Sequence, residues 1–290
     1  DEYDTAFFDK RSKFIHYYPE TLIINNLEFD HGDIFPDLTY IFKEFHNLVR
    51  VLSSEAKIIF PSDDENIRHV LDMGCWSKLI SYDLEGKNEN TVFIKEGHEN
   101  LTYKIKDDEG DLDWAFLGVH NARNAMSASL AVHQYGISLD SSLKSLRNFL
   151  GVAKRQDTLL DSEELILIED FAHHPTAIRS TIEGVRKKYP QNRLMVAIEL
   201  RSNTMKSGFH DSNLIKSVVE ADKVFWKGEN KSQIEGLVNN NPINSSQIID
   251  IDKFVGDFRS TSSAGDILLV MSNGDFSDLS NKVIKSFENE

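Results

Sequence analysis

A single cysteine, Cys75, stands in the whole chain. No internal disulfide framework can form, and such a scarcity fits a reducing, cytoplasmic setting. No apolar run approaches the roughly 20 residues that a membrane helix needs. Nor does a basic stretch followed by an apolar one open the chain as an export signal would, so no membrane partner is expected. Cations are few beside acids, 32 Lys and Arg against 47 Asp and Glu, for a formal net charge of −15. Nucleic-acid binding draws on Lys and Arg that displace counterions from phosphates, so this balance argues against nucleic acid as a partner. It leaves room for a small anionic ligand, because a local group of Arg, Lys, His and helix N-termini can hold phosphate against an acidic background. The chain shows no internal repeat and no low-complexity segment.

What is present suits two domains. The 290 residues exceed one average domain, and 40% hydrophobic with 27% charged residues is ordinary for a globular protein. The first residue is Asp1, within a charged motif with Glu2 and Asp4, and the chain reads as the later part of a longer protein.

Hydrophobic patterning gives a coarse plan. Residues 21–27 read as a buried strand, 37–52 as a helix capped by Asp37, and 57–60 as a strand stopped by Pro61. Three strand-like stretches lie within 78–106, followed by helices over 119–135 and 140–150. From about residue 157 strands and helices alternate. Strands are expected at 164–169, 193–200, 223–226, 247–251 and 266–271, and helices at 175–189 and 211–220, with 239–246 as a polar surface loop. Such alternation argues for a parallel sheet with helices on both faces, whose ligands bind at loops after the strand C-termini. The loops to watch are therefore Asp170–Pro175, Arg201–Gly208 and Ser272–Asp275.

Five polar constellations stand out. The first runs from Asn25 to Asp33 and packs amide, carboxylate and imidazole groups after a strand. Its oxygens suit Mg²⁺ and its His31 could complete the shell, though a strand-capping polar loop would look the same. In the second, Asn121 and Asn124 share a helix face, where their amides supply both donor and acceptor for an adenine edge; helix capping by Asn121 competes. In the third, Lys154 and Arg155 follow the helix stop Gly151 and would neutralise a phosphate chain, or simply make a basic linker. In the fourth, Glu169 to Thr176, an acid ends a strand, as at ribose-binding sites. Its neighbours His173 and His174 point apart and are poor joint metal ligands. The fifth offers the planar fork of Arg201 for a carboxylate or phosphate, with donors from Ser202, Asn203 and Thr204; a structural ion pair is the other account.

The order of these motifs is more telling than any one of them. DEYDTAFFDKRSKF, NNLEFDHGD, GVHNARNA, FLGVAKR, DFAHHPTAI and LRSNTM, in this order from Asp1 to about Gly274, closely resemble the Mur ligases. These are ATP-dependent amide ligases of the bacterial cell wall, and the likeness is to the branch that adds a murein tripeptide. The resemblance implies an α/β chain: residues 1–157 as the C-terminal part of a central ATPase domain, and 158–290 as a Rossmann-like, parallel-sheet C-terminal domain. It implies ATP and Mg²⁺ as cofactors. UDP-N-acetylmuramate and the tripeptide L-alanyl-γ-D-glutamyl-meso-diaminopimelate are the implied partners, joined through an acyl phosphate in peptidoglycan recycling. It implies further that His31 ligates or orients Mg²⁺ with support from Asn26 and Asp30. Asn121 and Asn124 would approach the adenine, Lys154 and Arg155 the phosphates, and Asp170 the ribose. His174, Arg201, Ser202 and Asn203 would lie where the acyl phosphate meets the peptide.

Some departures bear on these expectations. The family's Gly-rich phosphate loop and a metal-binding Glu are absent from these residues, so the chain alone is expected to be inactive. Lys154 stands where Arg is expected, Leu200 where Pro is expected, and Phe45 where several relatives carry a carbamylated Lys. Two other readings stay open: an alanine-adding ligase of the same family, and a non-catalytic nucleotide- or muropeptide-binding module.

Overall fold

The structure, a computed structural model, describes residues 10–32, 34–94, 100–114, 116 and 118–288. Asp1, Glu2 and Asp4 of the opening charged motif and Asp33 of the Asn25–Asp33 constellation lie outside the described residues. The chain divides into two compact units, the first formed by residues 1–115 and 119–149 and the second by 116–118 and 150–290.

The first unit contains β1 (Thr21–Ile23), α1 (Leu38–Val51), β2 (Lys57–Pro61), α2 (Glu65–Asp72), β3 (Lys78–Tyr82), β4 (Asn90–Ile94), β5 (Asn100–Ile105), β6 (Asp108–Asp113), α3 (Val119–His133) and α4 (Leu139–Arg147). β1, β2 and β3 form a parallel sheet in that order, and β4, β5 and β6 an antiparallel one. α1 begins where expected: the Asp37 carboxylate accepts from the Thr39 and Tyr40 amides and so satisfies two donors that lack an intrahelical partner. Its Ile41, Leu48 and Val49 are buried, in a cluster with Ile58, Phe60, Ile67 and Val70. α3 buries a face of small residues, Ala122, Ala125, Ser127 and Ser129, beside Met126 and Leu130. β6, with sequence DEGDLD, was not anticipated; its fully buried Leu112 is the one strongly apolar anchor in an otherwise acidic strand.

The second unit contains β7 (Asp157–Asp161), β8 (Leu165–Asp170), α5 (Pro175–Lys188), β9 (Leu194–Glu199), α6 (Asn203–Lys206), α7 (Asp211–Ser217), β10 (Lys223–Lys227), α8 (Lys231–Asn240), β11 (Asn244–Gln247), α9 (Ile251–Thr261), β12 (Asp266–Met271) and α10 (Leu279–Glu288). Its six strands run in the order β11-β10-β9-β12-β8-β7, all parallel except β7. Alternate residues of each strand point to opposite faces. Ile166, Ile168, Val196, Ile198, Val224, Ile267 and Leu269 pack with Ile178 and Ile182 of α5 and Leu214 of α7. The intervening Leu165, Leu167, Met195, Phe225, Leu268 and Val270 pack with Val255 and Phe258 of α9 and Val283 of α10. Both faces are thus covered, as continuous apolar runs in a parallel sheet require.

The expected strand at 247–251 is corrected. The strand is Asn244–Gln247, three of whose four residues fall in the segment read as a surface loop, and Asp250 is instead the N-cap of α9, accepting from the Lys253 amide at 2.7 Å. β11 lies at the sheet edge, where polar residues suffice and discourage further pairing.

One carboxylate organises the turn after β3. Asp83 is 5% exposed; it accepts from the amides of Glu85 (3.2 Å), Gly86 (3.0 Å), Lys87 (2.8 Å) and Asn88 (2.9 Å) and from the Thr91 hydroxyl at 2.6 Å. Burial opposes the charge, yet the Thr91 hydroxyl and the amides outweigh it and hold Asp83 below the usual carboxylate range. A depressed folded value contributes stability that is present above the unfolded pKa, about 3.9, and is lost as pH falls through the folded one. Asp83→Asn is therefore expected to lower the urea midpoint at neutral pH, with the gap to the parent closing in acid below about pH 4. An equal gap at both pH values would contradict this.

Candidate functional site

In the first unit the polar loop after β1 is pinned to the start of α2. Asp64 caps α2 through the Ile67 amide (2.9 Å) and also accepts from the Leu27 amide at 3.3 Å, while the Asn66 side chain donates to the Leu27 carbonyl at 2.7 Å. The anchored loop presents Asn26, which donates to Glu28 at 3.3 Å, and His31, whose amide donates to the Asp30 carboxylate at 2.7 Å. His31 sits in the left-handed region at φ 55°, and its carbonyl accepts from the Ile34 and Phe35 amides at 2.9 and 3.0 Å. Among the described residues no group of three or more His, Cys, Asp or Glu side chains is placed to hold a metal. His31 and Asp30 could therefore supply at most part of a metal's shell, and Mg²⁺ is a cation that takes its remaining oxygens from phosphates and water.

α3 brings the second motif to the first. Asn25 donates from Nδ2 to Asn124 Oδ1 at 2.8 Å, across 99 residues. Asn124 is exposed and Asn121 half-buried one turn earlier, and Arg123 between them pairs with Asp63 at 2.5 Å.

In the second unit the order β9-β12-β8 sets the ends of three parallel strands side by side, and the three loops singled out by position converge there. Ser272, after β12, donates from Oγ to Glu199 Oε2 at the end of β9 at 2.6 Å, and the Gly274 amide donates back to Ser272 Oγ at 2.9 Å. Lys154 Nζ donates to the Gly274 carbonyl at 2.8 Å and lies 3.9 Å from Glu169 at the end of β8. The Arg201 guanidinium lies directly on Gly274, where any side chain would collide with it, and sits 3.6 Å from Asp275 in an exposed pair. Ser202 caps α6 by accepting from the Met205 amide at 3.3 Å, and Asn203 is exposed on its first turn.

Asp170 is 3% exposed, and its two oxygens accept from the Gln156 amide at 2.9 Å and the Ala172 amide at 2.7 Å. The carboxylate is thus directed at backbone. Burial raises its pKa, with the Ala172 and Gln156 amides and Arg155 opposing. The Arg155 guanidinium stands 5.1 Å over the Phe171 ring. His174 caps α5: its Nδ1 accepts from the Thr176 amide at 3.4 Å, and its ring meets buried His210 edge-on at 4.8 Å.

The structure therefore gathers Lys154, Arg155, Asp170, His174, Arg201, Ser202 and Asn203 in one unit, and His31, Asn121 and Asn124 in the other. Reading motifs alone gave no role to Glu199, Ser272, Gly274 or His210, although Glu199 opens the fifth constellation. The first three carried a positional signal, since each stands at or just beyond the end of a parallel strand; His210 carried none.

An α/β protein with a mostly parallel sheet and polar groups crowded at its strand ends is the class that these features define. Residues 6–132 match the Mur ligase middle domain, and residues 154–274 the Mur ligase glutamate ligase domain. The chain is 36% identical to a UDP-N-acetylmuramate–L-alanyl-γ-D-glutamyl-meso-2,6-diaminoheptandioate ligase of Escherichia coli and 33% identical to its namesake of Haemophilus influenzae. Each match takes in 98% of this chain and 63% of the relative, so the chain spans under two thirds of those proteins. It also superposes on the crystal structure of a murein peptide ligase from Psychrobacter arcticus with a TM-score of 0.73 at 33% identity, over 100% of this chain and 62% of that one. The chain belongs to the Mur ligase family.

The buried carboxylate gives a direct test of the second unit. Asp170→Asn keeps the shape but turns an N–H toward one of two backbone N–H groups. It is expected to cost roughly 1–3 kcal/mol in urea unfolding. Because the folded pKa is raised, the parent should also lose stability as pH rises from the unfolded pKa through the folded one, and the Asn variant should lack that slope. A variant as stable as the parent would contradict the hydrogen-bond assignment.

Proposed function

We propose that this chain is the nucleotide- and peptide-handling part of an ATP-dependent ligase. The ligase joins the lactyl carboxylate of UDP-N-acetylmuramate to the amine of L-alanyl-γ-D-glutamyl-meso-diaminopimelate, in peptidoglycan recycling. The observation that carries the reading is the Arg201 guanidinium laid on Gly274 at the ends of adjacent parallel strands. A planar fork held there, whose ionic partner among the described residues is an exposed Asp275, suits a peptide carboxylate, which would outcompete a single, long, solvent-screened contact. The relatives at 33–36% identity support the choice of peptide.

The chemistry is amide formation through an activated acid. A carboxylate oxygen takes the γ-phosphoryl group and ADP leaves. The peptide amine then attacks the acyl carbon, and the tetrahedral intermediate collapses with loss of phosphate and of the amine proton. Mg²⁺ supplies neutralisation of phosphate charge, and His31 with Asn26 and Asp30 would orient its shell. Asn121 and Asn124 face the adenine. Arg155 faces phosphate, while Lys154 serves by holding Gly274 beneath Arg201. Asp170 fixes the segment that carries Arg155; a ribose hydroxyl at this strand end would compete with its two amides. His174, Ser202 and Asn203 line the place where acyl phosphate and peptide meet. These residues contain no Gly-rich loop ending in Lys and Ser or Thr, so the chain by itself is expected not to turn over.

The test is ADP release by the protein expressed from its whole reading frame, with UDP-N-acetylmuramate, Mg²⁺ and either tripeptide or L-alanine. Release driven by tripeptide is expected. Release driven by L-alanine would move the protein to the alanine-adding branch, and release with neither would favour a binding module. Arg201→Ala should raise the KM for tripeptide roughly tenfold to a hundredfold, the value of one charged hydrogen-bonded contact. An unchanged KM would remove Arg201 from the peptide site.

A further inference from the structure

We propose that Asn25 is a positioning residue: it turns the Asn124 amide so that the NH₂ group, not the carbonyl, faces outward, under a one-way hydrogen-bond chain that starts at Tyr82. This rests on the reading that Asn124 faces the nucleotide base. Ser127 Oγ lies 2.6 Å from Asn25 Oδ1 and 3.1 Å from the Tyr82 hydroxyl. A serine has one proton to give, and an amide oxygen only accepts. The Ser127 proton therefore goes to Asn25, and Tyr82 donates to Ser127.

The opposite direction, Asn25 NH₂ to Ser127 and Ser127 to Tyr82, would strand the phenol proton of a residue that is 0% exposed, a desolvated donor that folding penalises. Burial also raises the Tyr82 pKa, against the Ser127 hydrogen bond, so the phenol stays protonated and able to donate. With its carbonyl taken by Ser127, Asn25 has only its NH₂ to offer, and it donates to Asn124 Oδ1 at 2.8 Å. The Asn124 carbonyl is used in turn. What this exposed side chain presents is an N–H donor, which suits a ring nitrogen of a purine. The chain links the loop after β1, the end of β3 and the second and third turns of α3, so the donor is set by buried structure and not by the ligand.

The experiment measures KM for ATP and kcat in the protein expressed from its whole reading frame, for Asn124→Ala, Asn25→Asp, their double variant and Ser127→Ala, with melting temperatures alongside. Asn25→Asp keeps the acceptor for Ser127 but has no N–H, so Asn124 must swing its NH₂ inward and present its carbonyl. Asn25→Asp is expected to raise the KM for ATP roughly tenfold with little change in kcat. The double variant should be no worse than Asn124→Ala alone, as two residues acting through one contact require. Should Asn25→Asp fail to fold, Ser127→Ala, which releases Asn25 to rotate, carries the same expectation in weaker form. If Asn124→Ala leaves the KM for ATP unchanged, the base-facing reading of Asn124 falls, and this inference with it. If Asn124→Ala raises it while Asn25→Asp and Ser127→Ala do not, or if the effects of Asn25→Asp and Asn124→Ala multiply, the positioning role alone is overturned.

Discussion

The parallel pairing of β8, β12 and β9 is the constraint on which the second unit depends. Parallel strands all end on the same side, so three loops distant in sequence must emerge together. β12 lies between the other two, which places Ser272 beside Glu199 and brings Gly274 under Arg201. None of these contacts is local, and each follows from strand order. The sheet holds that order because both its faces are covered by apolar side chains from α5, α7, α9 and α10. A slip of one residue in any central strand would send each of those side chains to the wrong face.

The polar groups at the strand ends divide into those that hold the site and those that are left to act. Asp170, Glu199, Ser272 and Lys154 are each engaged by backbone or by a neighbouring side chain. Arg201 has its side chain 52% exposed, and its ion pair among the described residues is a long contact to Asp275. Ser202, which follows it, is itself spent on capping the short helix α6. This division supports placing substrate at Arg201, since a group that is already satisfied by the protein gains little from a ligand.

Four of the second unit's strands, β8, β9, β10 and β12, were legible in the sequence because fully buried parallel strands are continuous apolar runs, as in ELILIE and RLMVAIEL. Their ends marked loops that the structure brings together. β6, β7 and β11 were not legible. All three are edge strands, and a pattern search for burial passes over a strand that is not buried. The segment QIIDI misled because its Ile pair resembles a strand, whereas Asp250 ends it as a helix cap. Site residues identified by motif landed near strand ends and helix starts, but the motif did not distinguish Asp170, turned to backbone, from Arg201, turned to solvent. That difference depends on which neighbours the fold supplies, and a single sequence does not show them.

The most direct measurement is a crystal structure of the protein, expressed from its whole reading frame, with the tripeptide bound. The expected result is a peptide carboxylate paired with both arms of the Arg201 guanidinium beside Gly274, with the Asp275 contact given up. Tripeptide bound away from the ends of β8, β9 and β12, or seated there with Arg201 still turned to Asp275, would contradict it.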